Sequence, residues 1–398
     1  MPGFEIFGAE ERAQVMDVLE TGVLFRYGFD GARNGHWKAR TFEQELAGRM
    51  GVAHSLLVSS GTAALCTALS ACGVGAGDEV VVPPFTFVAT FEAVLAIGAV
   101  PVFSEIDDTL CLDPDGIEAV LTPRTKAVLP VHMCGAMAQI DRIAEFCRSK
   151  GLILIEDTCQ ALGGTLNGKA LGTFGQMGCF SFDAVKTITC GEGGGLVTDD
   201  EALYRRADAY ADHGHDHIGN DRGLEGHAIL GANYRISELN AAVGLAQLRK
   251  LDDILHRQRT AKTAIQNALT GIPGLSFRRV PDPVGDSATF LSFFLPNEDT
   301  ARKAAAALAE NGVDGCPYWY DNGWHYLRQW DHLKQRQTAA PVAALNRPDS
   351  PDYGGLQLPA SDAVMSRLIS MQIKLGWSAA DIDQRSEKTA SVLRTVLG

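Results

Sequence analysis

Between about residues 50 and 200 the chain alternates short apolar runs with longer segments of helical spacing. The apolar runs do not alternate with polar residues, which is typical of strands buried on both faces of a sheet. Strand–helix–strand alternation favours a mostly parallel sheet with right-handed crossovers. The predicted strands are His54–Ser59, Glu79–Pro83, Ala127–Val131, Leu152–Glu156 and Cys179–Phe182. We therefore predict an α/β fold that binds ligands at the carboxyl ends of its strands.

The pattern changes after residue 270. A helical stretch from Ile236 to about Leu269 ends shortly before Pro273 and Gly274, which mark a turn. A mixture of strand and helix follows, predicted at Phe290–Leu295, Thr300–Glu310 and Ala379–Val396. Because 398 residues are too many for one simple core, we predict a large domain over residues 1–270, including an N-terminal arm, and a smaller α+β domain over residues 271–398.

Composition restricts the partners and the compartment. The formal net charge of −13 disfavours nucleic acid and anionic membranes as partners. The chain opens without a basic stretch followed by an apolar one, and no run of about 18 apolar residues occurs. Nine cysteines are scattered without a CxxC pair, which predicts reduced thiols in a cytoplasmic protein. Three alternate histidines, at 213, 215 and 217, lack a partner carboxylate pattern, so we predict no metal site.

Lys186 is the first candidate for chemistry. It follows an apolar strand and precedes the glycine-dense turn 191–195, an unusual place for a solvated charge. A partly buried amine loses its charge more readily and becomes a nucleophile toward an aldehyde. The glycines would let the backbone pass close to a ligand. The alternative is a surface lysine beside a β-turn, which this segment alone leaves open.

Asp157 directly follows the predicted strand Leu152–Glu156, at the sheet edge where open α/β sheets bind ligands. A carboxylate there can pair with a pyridinium nitrogen and preserve the ring as an electron sink. Gln160, three residues later, could reach the same ring. The alternative for Asp157 is a cap of the next helix.

Two further segments suit a phosphorylated, flat ligand. Ser59–Thr62 leads from a strand into a helix, whose free N–H groups and dipole suit a phosphate, and Ser181 could add a hydroxyl. The aromatic residues of Pro84–Thr90 could stack on a heteroaromatic ring. Ordinary helix capping and core packing are the respective alternatives.

Taken in order, these segments resemble the motifs of the DegT/DnrJ/EryC1/StrS sugar aminotransferases. The matching segments are Ser60–Leu65, Pro84–Thr90, Glu156–Gly163, Ser181–Gly194 and Asn233–Glu238. The resemblance covers most of the chain. It implies a fold-type-I pyridoxal-phosphate transferase, with a mostly parallel central sheet in the large domain and a smaller C-terminal α+β domain. Relatives with histidine in place of the lysine catalyse deoxygenation, and Lys186 argues against that branch.

The resemblance also implies roles for single residues. Lys186 would hold pyridoxal phosphate as a Schiff base and move a proton, and Asp157 would hold the pyridine nitrogen. Gln160 would lie near the phenolic oxygen, and Phe87 would stack on the ring. The phosphate would be held by Gly61, Thr62 and Ser181. Asn233 would reach the phosphate of a neighbouring subunit, which implies a homodimer with shared active sites.

The substrate is indicated by three segments, 25–40, 213–222 and 316–326. They resemble the branch of the family that makes 8-amino-3,8-dideoxy-D-manno-octulosonate (Kdo8N) for lipopolysaccharide. This implies amination of 8-oxo-3,8-dideoxy-octulosonate with L-glutamate as the donor. Arg26 is the candidate for binding the sugar carboxylate, and Tyr320 and His215 are further candidates for substrate contact.

Other interpretations stay open. The acceptor could be a nucleotide-linked keto-sugar or an inosose ring. A desulfurase-like lyase would use Cys316 as its nucleophile. A non-enzymatic pyridoxal-phosphate-binding regulator would need a DNA-binding module, and the sequence has no basic helix-turn-helix segment.

Overall fold

The computed structural model describes residues 3–217, 224 and 226–398. Its strands are β1 (His54–Val58), β2 (Glu79–Val82), β3 (Val100–Phe103), β4 (Thr125–Val128), β5 (Ile153–Asp157), β6 (Thr165–Leu166), β7 (Lys169–Ala170), β8 (Met177–Ser181), β9 (Gly194–Thr198), β10 (Ser276–Phe277), β11 (Phe290–Phe294) and β12 (Leu368–Gln372). Its helices are α1 (Ala9–Thr21), α2 (Lys38–Met50), α3 (Gly61–Ala71), α4 (Ala89–Ala96), α5 (Ile140–Lys150), α6 (Glu201–Ala211), α7 (Glu238–Arg249), α8 (Leu251–Leu269), α9 (Glu298–Glu310), α10 (Asp331–Lys334), α11 (Pro359–Met365) and α12 (Ala379–Leu397).

A seven-stranded sheet with the order β1-β9-β8-β5-β4-β2-β3 forms the centre of the molecule. Only β9 runs against the other six strands of this sheet. The neighbours Leu56 and Leu57 of β1 point to opposite faces, and each belongs to a different core cluster. Helix α3 covers the first face and helices α2 and α7 cover the second. The predicted α/β class with a mostly parallel sheet is confirmed.

Strand β9 was not predicted, because its first residues, Gly194 and Gly195, read as part of a turn. Every residue of β9 is buried. A Cβ atom added to Gly194 would lie 2.2 Å from the backbone oxygen of Ser60, so only glycine lets β9 pass this close to the start of α3. The glycine-dense segment therefore serves strand packing as well as a turn.

The predicted helical stretch from Ile236 to about Leu269 is wrong as a single element. The structure has two helices, α7 and α8, separated at Lys250. The Lys250 N–H donates to the carbonyl of Gln247, three residues back, which tightens the turn there. Its Nζ donates to both carboxylate oxygens of Glu11, at 2.8 and 2.9 Å, and so ties the junction to α1.

A second, antiparallel sheet of order β10-β11-β12 follows in the C-terminal part of the chain. Its inner residues, including Phe293 and Ile369, pack with helices α9 and α12 in one core cluster. Ile265 and Leu269 of α8 belong to the same cluster. The domain boundary at residue 270 stays a prediction, since α8 packs on the second sheet before that point.

The segment from residue 311 to 358 carries only short helices and returns to the central sheet. Backbone hydrogen bonds join it to the loop after β2. The N–H of Thr86 donates to His325 O at 2.9 Å, and that of Val88 donates to Trp324 O at 3.0 Å. The return fixes residues 324–325 beside residues 86–88. Among the helices of the described residues, none combines the length and apolar composition that crossing a lipid bilayer requires.

A polar cluster at the end of α6 ties three segments together. Asp212, directly after α6, accepts hydrogen bonds from the Tyr27 hydroxyl and from the Arg235 guanidinium. His217 contacts the carboxylate of Asp208 through Nδ1 at 2.7 Å and that of Asp212 through Nε2 at 3.0 Å. The hydrogen bonds to these two carboxylates raise the pKa of His217 to about 9. The charged imidazole therefore holds residue 217 against the C-terminal end of α6 and Asp212.

The charge of His217 predicts a pH-dependent stability. Since the pKa of His217 is raised in the folded state, its contribution is complete below about pH 6.5 and is lost as the pH rises through about 9. His217→Gln keeps a polar side chain without the charge. We expect it to lower the free energy of unfolding by about 1–2 kcal/mol at pH 6, with little difference at pH 10. Denaturant titrations of both proteins at several pH values measure this, and a difference that does not change with pH would contradict it.

Candidate active site

A cavity of about 370 Å³ opens at the carboxyl ends of β5 and β8, beside the start of α3. Parallel strands end at the same sheet edge, and this brings distant parts of the sequence together. Seven of the residues predicted for the cofactor line this one cavity: Gly61, Thr62, Phe87, Asp157, Gln160, Ser181 and Lys186. Their individual roles stay predictions, but the spatial convergence is observed.

Asp157 is the last residue of β5 and is only 4% exposed. Its Oδ2 accepts a hydrogen bond from the Thr90 hydroxyl at 2.8 Å, and its Oδ1 accepts one from the Cys159 N–H at 3.1 Å. Within the described residues no cationic side chain lies at ion-pair distance from this carboxylate. Burying an unpaired carboxylate is costly, so the site favours a cationic ligand group at this position.

The hydroxyl groups of Thr86 and Thr90 lie 2.6 Å apart, so the Asp157 carboxylate is held through a short chain of hydrogen bonds. Sequence reasoning missed Thr90. A signal was available, because Thr86 and Thr90 are four residues apart in a segment that leads into a helix, where such residues face the same side.

Lys186 lines the cavity, with its Nζ 5.8 Å from the centroid of the Phe87 ring. Its backbone is fixed on both sides. Its N–H donates to Asp183 O at 3.1 Å, and its carbonyl accepts from the Gly3 N–H at 3.1 Å. In the part of the chain that the structure describes, no carboxylate pairs with Nζ. The amine is therefore available to a ligand in the cavity.

The N-terminus of α3 forms one end of the cavity. Ser60 caps this helix, its hydroxyl accepting from the Ala63 N–H at 3.0 Å. The N–H groups of Gly61 and Thr62 have no acceptor among residues 3–217, 224 and 226–398. A Cβ atom on Gly61 would lie 2.7 Å from the Ser181 Cβ, so glycine keeps this corner open. Two free N–H groups at a helix N-terminus suit a phosphate.

Gln160 and Phe87 complete the lining. The Gln160 Oε1 accepts from the Cys134 N–H at 3.0 Å, which leaves the amide NH₂ group as a hydrogen-bond donor. The ring of Phe87 is 37% exposed and stacks almost parallel to that of Trp324, at an angle of 9° with centroids 5.8 Å apart. One face of a flat ligand can therefore be covered by Phe87.

Four predicted residues lie outside this cavity. Asn233 is exposed, and its predicted contact with a neighbouring subunit stays a prediction. Arg26 pairs with Glu43 at 2.6 Å and with Asp208 at 3.5 Å, so its guanidinium is already neutralised and does not line the cavity. Its predicted contact with a sugar carboxylate stays a prediction.

Tyr320 does not line this cavity either. It is buried against Tyr326, with ring centroids 5.7 Å apart, and its neighbour Trp319 lines the cavity instead. A short helical turn at Trp319–Asp321 sets the direction of each side chain, and the predicted substrate contact of Tyr320 stays a prediction.

His215 lies in the polar cluster after α6 and not in the cavity, and residues 218–222 of the predicted substrate loop lie outside the described residues. Ligand atoms of Asp212, His215 and His217 lie within 4.8 Å of one another. Sequence reasoning did not detect this carboxylate. Since the Arg235 guanidinium and the charged His217 already surround Asp212, a metal ion would meet two positive charges there.

The thiols near the site are unsuited to nucleophilic attack. Cys159 lines the cavity, but burial and the charge of Asp157 raise its pKa well above the ordinary thiol value. Cys316 lies outside the cavity, and burial raises its pKa to about 11. The thiolate is the reactive form, so the desulfurase-like alternative has no structural support.

These residues fit pyridoxal phosphate. As far as the described part of the chain goes, the cavity combines an unpaired lysine amine, a buried carboxylate without a cationic partner and free N–H groups at a helix N-terminus. A cofactor with an aldehyde, a basic ring nitrogen and a phosphate matches these three features in kind.

Comparison with known proteins agrees with a pyridoxal-phosphate site. Residues 7–384 match the pattern of the DegT/DnrJ/EryC1/StrS aminotransferase family. The chain is 38% identical over 315 residues to the L-glutamine:2-deoxy-scyllo-inosose aminotransferase of Streptomyces kanamyceticus, covering 75% of this chain and 73% of that enzyme. It is 38% identical over 309 residues to the UDP-N-acetyl-3-dehydro-alpha-D-glucosamine 3-aminotransferase of Acidithiobacillus ferrooxidans, covering 77% and 80%.

The crystal structure of 3-amino-5-hydroxybenzoic acid synthase superimposes with a TM-score of 0.81 at 30% identity, covering 97% of this chain and 96% of that one. The predicted fold-type-I transferase architecture is thus confirmed. The chain belongs to the DegT/DnrJ/EryC1/StrS family of pyridoxal-phosphate-dependent aminotransferases.

Proposed function

We propose that this enzyme transfers an amino group from L-glutamate to the carbonyl carbon of a keto or aldehyde sugar. The observation that carries the proposal is the buried Asp157 carboxylate, which has no cationic partner among the described residues, in the same cavity as the Lys186 amine. When bound, pyridoxal phosphate supplies an electron sink for the carbon that exchanges its amino group.

The residues of this chain divide the remaining work. Asp157, oriented by Thr90, would keep the proton on the ring nitrogen. The Lys186 Nζ would hold the cofactor covalently until the donor's amino group takes its place, and the released amine would then accept the proton that leaves the donor's α-carbon. The N–H groups of Gly61 and Thr62 would bind the phosphate, and Phe87 would cover one face of the ring.

The acceptor is a further part of the proposal. The two curated relatives described above are named for an inosose and for a UDP-linked keto-sugar. The octulosonate acceptor suggested by the sequence rests on the resemblance of three segments, and the ion pairs of Arg26 with Glu43 and Asp208 add no support to it. We retain 8-oxo-3,8-dideoxy-octulosonate as one of three acceptors to be compared, with L-glutamate and L-glutamine as donors.

We also propose a homodimer that completes the site. Large apolar side chains are exposed on the N-terminal arm, on α1 and after it, at Phe4, Phe7, Met16, Leu19, Leu24 and Phe29. Leu230, three residues before the exposed Asn233, is 96% exposed. Apolar surface of this extent commonly marks a protein interface.

Replacement of the cofactor lysine gives the first test. Lys186→Ala should lose the borohydride-trapped cofactor adduct and reduce turnover by at least about 10³-fold. Lys303→Ala, on the exposed face of α9, is the control and should retain both. Mass spectrometry of the reduced proteins measures the adduct. An adduct of equal yield in Lys186→Ala would contradict the assignment.

Asp157 gives an independent test. Asp157→Asn removes the charge with little change in volume, so cofactor attachment to Lys186 should persist while the half-reaction with L-glutamate slows by at least about 10²-fold. Thr90→Val should slow the half-reaction with L-glutamate by about tenfold, because the Asp157 carboxylate loses one hydrogen bond. Thr90→Ser should restore the rate. Single-turnover absorbance measures the rates. Unchanged rates in Asp157→Asn would argue against a bond to the ring nitrogen.

The acceptor panel separates enzyme from regulator. After amination with L-glutamate or L-glutamine, the enzyme is mixed with 8-oxo-3,8-dideoxy-octulosonate, UDP-N-acetyl-3-dehydro-glucosamine or 2-deoxy-scyllo-inosose. We expect at least one of these acceptors to restore the absorbance that the pyridoxal-phosphate enzyme had before amination. Tight cofactor binding without amino transfer from either donor would instead support the non-enzymatic regulator.

A further inference from the structure

Part of the cavity is not used by the proposed cofactor contacts. Trp319 and His325 line this part, and the exposed Trp324 stacks on Phe87, which also lines the cavity. All three belong to the segment that returns to the central sheet after residue 311. Its backbone hydrogen bonds to Thr86 and Val88 hold it against the loop that carries Phe87. The position of these side chains is therefore built into the fold.

The hydrogen bonds of Asn322 define the tautomer of His325. The Asn322 Oδ1 accepts from the backbone N–H of Trp324 at 3.0 Å, so this atom is an acceptor. The His325 Nδ1 lies 2.9 Å from the same oxygen and must therefore be the protonated ring nitrogen that donates to it. Nε2 is left with its lone pair, and no group in the described ranges hydrogen-bonds to it.

The ring of His325 is held between two aromatic side chains, with centroids 4.6 Å from Trp319 and 5.4 Å from Phe87. Burial, and secondarily the charge of Lys186, lower the pKa of His325 to about 4. At neutral pH the imidazole is uncharged. It is too weakly basic to remove a proton from a carbon acid, but its Nε2 is a good hydrogen-bond acceptor.

Trp324 offers an apolar surface next to Phe87. Its indole is 63% exposed and lies almost parallel to the ring of Phe87. A sugar presents both C–H faces and hydroxyl donors, so its recognition suits an aromatic surface combined with a neutral acceptor. A carboxylate oxygen of glutamate would be repelled by the lone pair of Nε2.

On this basis, and resting on the proposed function, we propose that His325 and Trp324 form the acceptor-sugar subsite: Nε2 accepts a hydrogen bond from a sugar hydroxyl, and the indole stacks on a C–H face of the same sugar. His325 thereby distinguishes a hydroxylated acceptor from the amino-acid donor that uses the same cavity.

The test compares the two half-reactions in paired variants. His325→Phe keeps a ring and removes the acceptor, whereas His325→Gln retains an acceptor oxygen. Trp324→Ala removes the stacking surface, whereas Trp324→Phe keeps an aromatic ring. The probes are L-glutamate for the first half-reaction and, for the second, whichever of the three panel acceptors reacts fastest with the unaltered enzyme.

We expect His325→Phe and Trp324→Ala each to lower the rate of the second half-reaction, relative to that of the first, by about tenfold. His325→Gln and Trp324→Phe should each recover much of this loss. Titration calorimetry of the aminated sugar onto enzyme in the pyridoxamine form, with which it cannot react, should show Kd raised by about the same factor. This binding measurement does not depend on turnover.

Several results would overturn the subsite. These are an equal loss in both half-reactions, an unchanged Kd in both His325→Phe and Trp324→Ala, or reaction with L-glutamate but with none of the three acceptors. Failure of the unaltered, cofactor-loaded enzyme to react with either amino donor would instead refute the proposed function itself.

Discussion

The candidate active site is organised around a carboxylate that is buried at the end of a parallel strand and that no cationic side chain of the described residues pairs with. Asp157 is fixed by hydrogen bonds from Thr90 and Cys159, so it cannot turn away toward solvent. Burial of such a group is unfavourable unless a ligand supplies the positive charge. One such ligand could contact the lysine amine, the N–H groups of Gly61 and Thr62 and the ring of Phe87 at the same time.

The parallel sheet makes this arrangement possible. Strands β5 and β8 end at the same edge, and the close passage of β9 along the start of α3 depends on Gly194. The C-terminal segment then closes the remaining side, because residues 324–325 hydrogen-bond to the loop after β2. Cofactor groups and substrate groups therefore come from distant parts of the sequence but are held by the same backbone contacts.

The sequence predicted well what depends on local pattern. Unbroken apolar runs indicated buried strands, and ordered motifs at their ends placed seven residues in one cavity. It predicted poorly what depends on tertiary contacts. Lys250 interrupts the long helical stretch through its bonds with α1, and Arg26 is neutralised by acids that lie 17 and 182 residues away. The choice between Tyr320 and Trp319 depends on one short helical turn, which composition does not encode. The role of His325 likewise depends on its bond to Asn322.

The proposed chemistry requires the Asp157 carboxylate to hold a protonated ring nitrogen. Nitrogen NMR of the enzyme reconstituted with cofactor isotopically labelled at the ring nitrogen measures this protonation state. We expect the chemical shift of a protonated pyridine at neutral pH, and that of an unprotonated one in Asp157→Asn. An unprotonated ring nitrogen in the unaltered enzyme would refute this role of Asp157.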